Sequence, residues 1–212
     1  MSQRLIYIMD PMCSWCWGFA PVVDAIQAAY PGLRIDLVAG GLRPGVTDPM
    51  QDAARQALAE HWQAVREASD QPLLSTDALP AGFIYNTEPA CRALVVAREL
   101  DADRVWALVK AIQYAFYAQG KDVTQCTTLT DLAEQAGYSP VRFSQAFVSD
   151  AAQTAVVADF NWAAGLGISG FPTLLAERDG MLALLSNGYQ PAEGILALLQ
   201  RWMEAGKGAV TE

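Results

Sequence analysis

Short apolar runs and amphipathic stretches follow one another along this chain in an informative order. Leu5-Ile6-Tyr7-Ile8-Met9 is an unbroken apolar run with β-branched and aromatic content, closed by Asp10-Pro11, and predicts a buried strand. From Cys13 to Ala29 apolar residues recur at helical spacing, with Phe19, Val22, Val23, Ile26 and Tyr30 on one side, until Pro31-Gly32 ends the element. Pro21 inside this pattern predicts a kink or a short break. Leu33 to Val38 alternates with a period of two and predicts a second strand, with Gly40-Gly41 and Pro44-Gly45 leading out of it. Strand, helix and strand in this order make a βαβ unit with two parallel strands.

The next hundred residues change character. Asp48 to Ser69 carries Leu58, Trp62 and Val65 on one face of a helix, and Pro72 to Gly82 is a loop by composition. Glu88 to Leu100, Asp103 to Tyr117, Thr128 to Ala136 and Pro140 to Val148 predict further helices, with Asp101 or Asp103 as a cap. No strand candidate lies between about residues 47 and 165, and the apolar stretch from Ala151 to Ile168, interrupted by Asp159 and Asn161, reads as a packed helix. Strand signals return with Pro172 to Glu177, the Asp179-Gly180 turn and Met181 to Leu185, and Gln190 to Met203 closes the chain as a helix. The chain is thus α/β, with βαβ, a helical block, then ββα. Residues 1–47 and 166–212 form the sheet-bearing part, and 48–165 an inserted helical domain.

Composition narrows the function classes. A net charge of −9 with only 14 scattered Lys and Arg argues against nucleic acid and anionic membrane surfaces as partners. The apolar run after Arg4 is too short for a secretory signal and lacks a small-residue cleavage site, so the expected setting is cytoplasmic. In a reducing compartment four cysteines are catalytic, metal-binding or simply buried rather than a disulfide framework.

Cys13-Ser14-Trp15-Cys16 falls where the first strand gives way to the first helix. On a first helical turn the two cysteines lie on nearly the same face and can close a disulfide. Unpaired amides and the positive end of the helix dipole favour a thiolate at the first. Cys13 is therefore the expected attacking residue and Cys16 the resolving one. Half a zinc site is the usual competitor, but Cys91, Cys126 and the lone His61 stand in unrelated contexts, and no metal is expected. Gly170-Phe171-Pro172-Thr173 opens the strand after the helical block. Alone, Pro172 reads equally as a strand-initiating proline. In cis, it would set the backbone of Phe171 opposite Cys13, ready to pair with an extended peptide.

The segment from Asp10 to Phe19, the helical insertion and the Gly170-Phe171-Pro172-Thr173 stretch together resemble the DsbA family of thioredoxin-fold proteins, and within it the cytoplasmic, FrnE-like branch of disulfide isomerases. The segments Asn86 to Ala93 and Tyr114 to Tyr117 are similar to insertion segments of that branch. The resemblance covers essentially the whole chain. It implies a thioredoxin fold interrupted by an α-helical domain, with Cys13 and Cys16 redox-active and Pro172 in cis. It also marks a departure: the strongly oxidising members carry Pro-His between their cysteines, whereas this chain has Ser14-Trp15. With no cation inside the motif, a more reducing or isomerase-like poise is expected.

Other residues are weighed beside these. Asp10 reads as a capping residue or as a proton relay for Cys16. Trp15 and Trp17 are candidates for an apolar substrate platform, Trp15 being the better placed for exposure. Cys91 and Cys126 read as inert buried thiols, and His61 as a helix-surface residue. The expected function is thiol–disulfide exchange on protein disulfides, with protein thiols and glutathione as partners and no cofactor. Two alternatives belong to other classes. A glutathione-dependent small-molecule transferase or isomerase shares the architecture but typically has Ser in place of Cys13. A redox-sensing, chaperone-like binding protein would keep holding activity without the cysteines.

Overall fold

The computed structural model describes residues 3–208. Its sheet has four strands in the order β2-β1-β3-β4. β1 (Gln3–Met9) lies in the middle, parallel to β2 (Arg34–Ala39) and antiparallel to β3 (Thr173–Arg178), which pairs antiparallel with β4 (Met181–Asn187). β1 is flanked by strands on both sides and covered on both faces, which is why its apolar residues run without alternation. Leu5, Tyr7 and Met9 share a core with α1 (Ser14–Ala29) and with Ile195 and Leu199 of α8 (Ala192–Gly208). Ile6 and Ile8 pack on the other face with Leu175 and Ala163, the latter from α7 (Asp150–Gly165).

Between β2 and β3 come α2 (Asp52–Ser69), α3 (Glu88–Leu100), α4 (Val105–Tyr117), α5 (Cys126–Gln135), α6 (Pro140–Phe147) and α7. This is a thioredoxin fold interrupted by helices. The core is continuous across the junction, running from Tyr7 and Phe19 through Trp62 and Phe116 to Phe143.

Three local expectations are corrected. Of the kink or short break expected at Pro21, the break is absent, and α1 passes through as one helix. Proline leaves the carbonyl four residues earlier without its helical partner, but here the Gln71 side chain donates to Trp17 O at 3.2 Å while Pro21 itself is exposed. α2 begins at Asp52 rather than Asp48, because Pro49 disfavours helical geometry at the residue before it. The expected Asp101 cap serves a short 3₁₀ turn, Ala102–Arg104, by accepting from Asp103 N at 3.1 Å, and α4 starts beyond it.

β2 is an edge strand, and its outer side is closed by an ion pair from the inserted helices. Asp159 of α7 accepts Ala39 N at 2.8 Å, while Arg98 of α3 donates to Leu37 O at 2.7 Å and to the same carboxylate at 2.8 Å. Such a clamp blocks edge pairing and fixes α3 and α7 to the sheet. Asp159→Ala leaves a strand amide and a part-buried guanidinium without their acceptor. It should lower the unfolding free energy by about 2 kcal/mol, with Asp159→Asn losing less, as read by urea denaturation.

Candidate active site

β1 ends at Met9, and the turn that follows sets Cys13 at the N-cap of α1. Cys13 N donates to Asp10 O at 2.9 Å, and Cys13 O accepts the first helical bond from Trp17 N at 3.0 Å. The Cys13 side chain therefore sits over the amide end of the helix, where the dipole favours negative charge. It is 5% exposed, whereas Cys16, one turn on, is fully buried. Both are free thiols. Burial first, and then the hydrogen bond with Cys13, push the Cys16 thiol well above its ordinary value.

The Phe171–Pro172 bond is cis. Cys13 Sγ lies 3.6 Å from Phe171 O, a residue 158 positions away in sequence. The Phe171 ring rests on Gly40, where a Cβ would stand 2.2 Å from the ring, so any larger residue would displace the ring. Its neighbour Gly41 has φ +71°, a conformation that L side chains rarely adopt.

Asp10 is fully buried and joins two loops. Its Oδ1 accepts Met12 N at 2.8 Å and its Oδ2 accepts Leu42 N at 2.7 Å. Burial pushes its carboxyl up from the usual range, while hydrogen bonds from Thr87, Leu42, Met12 and Cys91 pull it back. Met12 is held from the other side, its carbonyl accepting the Tyr85 hydroxyl at 2.5 Å.

The two tryptophans part company. Trp15 is half-buried, between Tyr189 (ring centroids 5.5 Å apart) and His61, edge-on at 6.3 Å. Trp17 is packed inside: it is 5% exposed, stacks on Tyr117 and donates to Pro72 O at 3.0 Å. Of the two, Trp15 alone keeps part of its surface open, and Trp17 is a core residue, because its position in α1 faces the inserted helices. Cys91 is buried beside Asp10, while Cys126 is half-buried at the start of α5.

Four neighbours of the site were not singled out as site residues from the sequence: His61, Tyr85, Thr87 and Tyr189. Tyr189 is anchored by its hydroxyl to Ala68 O at 2.8 Å. Thr87 and Cys91 lie in the Asn86-to-Ala93 segment noted above, and that segment was the available signal. Nothing in spacing or composition marked His61, Tyr85 or Tyr189. Among the described residues, no group of three or more His, Cys, Asp or Glu is placed to hold a metal ion, and no helix is long and apolar enough to cross a membrane.

A cysteine pair opening a helix at the end of the central strand, with a cis-proline turn facing it, is the arrangement of a thioredoxin-fold thiol–disulfide site. Residues 4–200 match the DSBA-like thioredoxin domain, and the chain belongs to that family of thiol–disulfide oxidoreductases. Among solved structures it is similar to a provisionally assigned protein disulfide isomerase from Nitrosomonas europaea, at 38% identity and TM-score 0.89, covering 97% of this chain and 99% of that one. It is also similar to the cytosolic disulfide reductase DsbM from Pseudomonas aeruginosa, at 26% identity and TM-score 0.79, covering 94% and 98%. A second structure of that reductase contains GSH and matches at 24% identity and TM-score 0.76, over 94% of this chain and 99% of that one. Among curated proteins it is 24% identical to the ClpXP adapter protein SpxH of Bacillus subtilis over 91% of this chain, and it spans 66% of that protein's length.

The burial pattern predicts an order of thiol reactivity. In the folded, reduced protein Cys126 and Cys13 should alkylate ahead of Cys16 and Cys91, whose buried thiols are pushed well up. Peptide mass mapping after a short iodoacetamide pulse reads this order directly, and early labelling of Cys91 would contradict the burial described.

Proposed function

We propose that this protein exchanges disulfides in protein substrates through Cys13 and Cys16, with Phe171 and Pro172 as the substrate-pairing loop and Trp15 as an apolar contact beside it. The carrying observation is Cys13 Sγ at 3.6 Å from Phe171 O, with Cys16 one turn behind. The Cys13 thiolate attacks a substrate disulfide, forming a mixed disulfide and releasing one substrate thiolate, which takes a proton from water. Cys16 then gives its proton to the Asp10 carboxylate and attacks Cys13 Sγ. The Cys13–Cys16 disulfide forms, the second substrate thiolate leaves, and two electrons have passed to the substrate. The same steps reversed oxidise a dithiol, and stopping at the mixed disulfide permits isomerisation.

A glutathione-type thiol is proposed as the partner that returns electrons to the pair, supported by the likeness to a reductase solved with GSH. A cytoplasmic setting accords with the name of that same relative. The poise proposed is reducing or isomerase-like, since Ser14-Trp15 brings no cation to the pair and a carboxylate lies behind it. We also propose residues 48–165 as the inserted domain and 1–47 with 166–212 as the sheet-bearing one, of which 1–2 and 209–212 lie outside the described residues.

The test is turnover of a protein disulfide with glutathione as reductant, using insulin and a scrambled ribonuclease. Cys13→Ser should fall to the uncatalysed rate, whereas Cys16→Ser should accumulate a glutathione- or substrate-linked adduct at Cys13 visible by mass spectrometry. Unchanged turnover in Cys13→Ser would sink the proposal.

A further inference from the structure

The loop that leaves β2 is pinned along its backbone. Leu42 N donates to Asp10 Oδ2 at 2.7 Å, Arg43 N to Thr87 Oγ1 at 3.0 Å and Gly45 N to Asn86 Oδ1 at 3.0 Å, while Arg43 O accepts Thr87 N at 3.1 Å. The Arg43 side chain is exposed, and its guanidinium stands 5.2 Å from the centroid of the Tyr85 ring. Tyr85 is buried, and its hydroxyl donates to Met12 O, the carbonyl of the residue before Cys13. One tyrosine side chain thus separates a cation on a pinned backbone from the entry to the cysteine pair.

That cation is unspent. Most guanidinium groups of this acidic chain are engaged, Arg4, Arg92, Arg98 and Arg104 with carboxylates and Arg55 and Arg66 with backbone carbonyls. Among the described residues no carboxylate pairs with Arg43, and the Asp10 oxygens are taken by the amides of Met12 and Leu42. An aromatic face attracts a cation without neutralising it, so the charge stays available. A free guanidinium matches a carboxylate through two parallel hydrogen bonds. In glutathione the thiol is carried by the middle residue, and from it an end carboxylate reaches roughly 7 Å along the chain. The long Arg43 stem adds its own reach when it leaves the ring. A chain of net charge −9 otherwise repels such an anion, which makes a local cation the contact that selects it.

We propose that Arg43 is a specificity-determining residue of this site, whose guanidinium binds a carboxylate of a glutathione-type thiol while that thiol reduces the Cys13–Cys16 disulfide. This role rests on the disulfide-exchange reading with glutathione as the electron donor, and it names the residue that selects the donor.

Stopped-flow tryptophan fluorescence gives the rate at which glutathione and its diethyl ester, compared at equal thiolate concentration, reduce the Cys13–Cys16 disulfide. Salt of about 0.15 M screens charges more than about 8 Å away, so the comparison reads local contacts. In the unaltered protein glutathione should outrun its ester about fivefold to tenfold. In Arg43→Gln that ratio should fall to near one, and Arg43→Lys should keep part of it. A ratio near one in the unaltered protein, a result that depends on no variant folding, overturns the role of Arg43 and leaves the exchange reading standing. A ratio unmoved in Arg43→Gln does the same. Two peptide disulfides with Glu or Gln beside the cysteine separate the sources of the carboxylate. A preference for Glu that Arg43→Gln removes, with the glutathione ratio unmoved, moves the carboxylate to protein substrates and overturns the assignment to glutathione. No reduction of the unaltered protein by either thiol takes down the exchange reading, and the role of Arg43 with it.

Discussion

A carboxylate sealed from water has to be held by donors, and those of Asp10 come from two stretches of chain 30 residues apart, one of them tied in turn to the inserted helices. Met12 belongs to the turn that delivers Cys13 to the head of α1 and Leu42 to the loop leaving β2, whose next amide, Arg43 N, is tied to Thr87 at the start of α3. An unsatisfied buried carboxylate is costly enough that these pieces cannot drift independently. Fixing Met12 fixes the entry to α1 and hence where the Cys13 side chain emerges. Fixing Leu42 holds Gly40 against the Phe171 ring, and Phe171 O faces Cys13. One buried group thereby registers the helix, the proline turn and the inserted helices against one another.

The inserted helices do more than cover the sheet. Gln71 supplies the donor that Pro21 denies to Trp17 O, Pro72 accepts the Trp17 indole, and Ala68 anchors Tyr189 beside Trp15. Each bond joins the last turn of α2 or the loop after it to an element at the cysteine end of the sheet. With the continuous core and the Arg98–Asp159 clamp on β2, they make the insertion part of the same packed body. The cysteine pair thus sits in a wall that both parts of the chain build.

How much of this the sequence revealed depends on the range of the interaction. The strands and helices were legible because their apolar periods are local, and the order βαβ, helices, ββα leaves few topologies. The motif Cys13-Ser14-Trp15-Cys16 and the Phe171-Pro172 pair were legible because both are short contiguous signals. The start of α2 was misplaced although Pro49 was in plain view, since composition was allowed to outweigh the restriction proline puts on its neighbour. The continuity of α1 through Pro21 was not legible, because the rescuing amide of Gln71 is 54 residues from the carbonyl it satisfies. The bracket of His61 and Tyr189 around Trp15 is likewise a contact between distant segments that carry no periodic or compositional mark.

The charge arrangement bears on the direction of the proposed chemistry. Reducing a disulfide creates thiols that can ionise, and whatever stabilises the thiolate holds the pair in its reduced form. Here the helix terminus is the favourable contribution at Cys13. At Cys16, burial first, then Cys13 and, behind them, the charge of Asp10 oppose ionisation, so the reduced pair keeps Cys16 as a thiol. In the proposed mechanism the same carboxylate accepts the Cys16 proton, which would give the resolving thiol a route to ionisation that its burial opposes. A buried base thus serves, in that mechanism, the step in which Cys16 resolves the mixed disulfide, the step a reductant must complete, and it does so from a position that salt screens little.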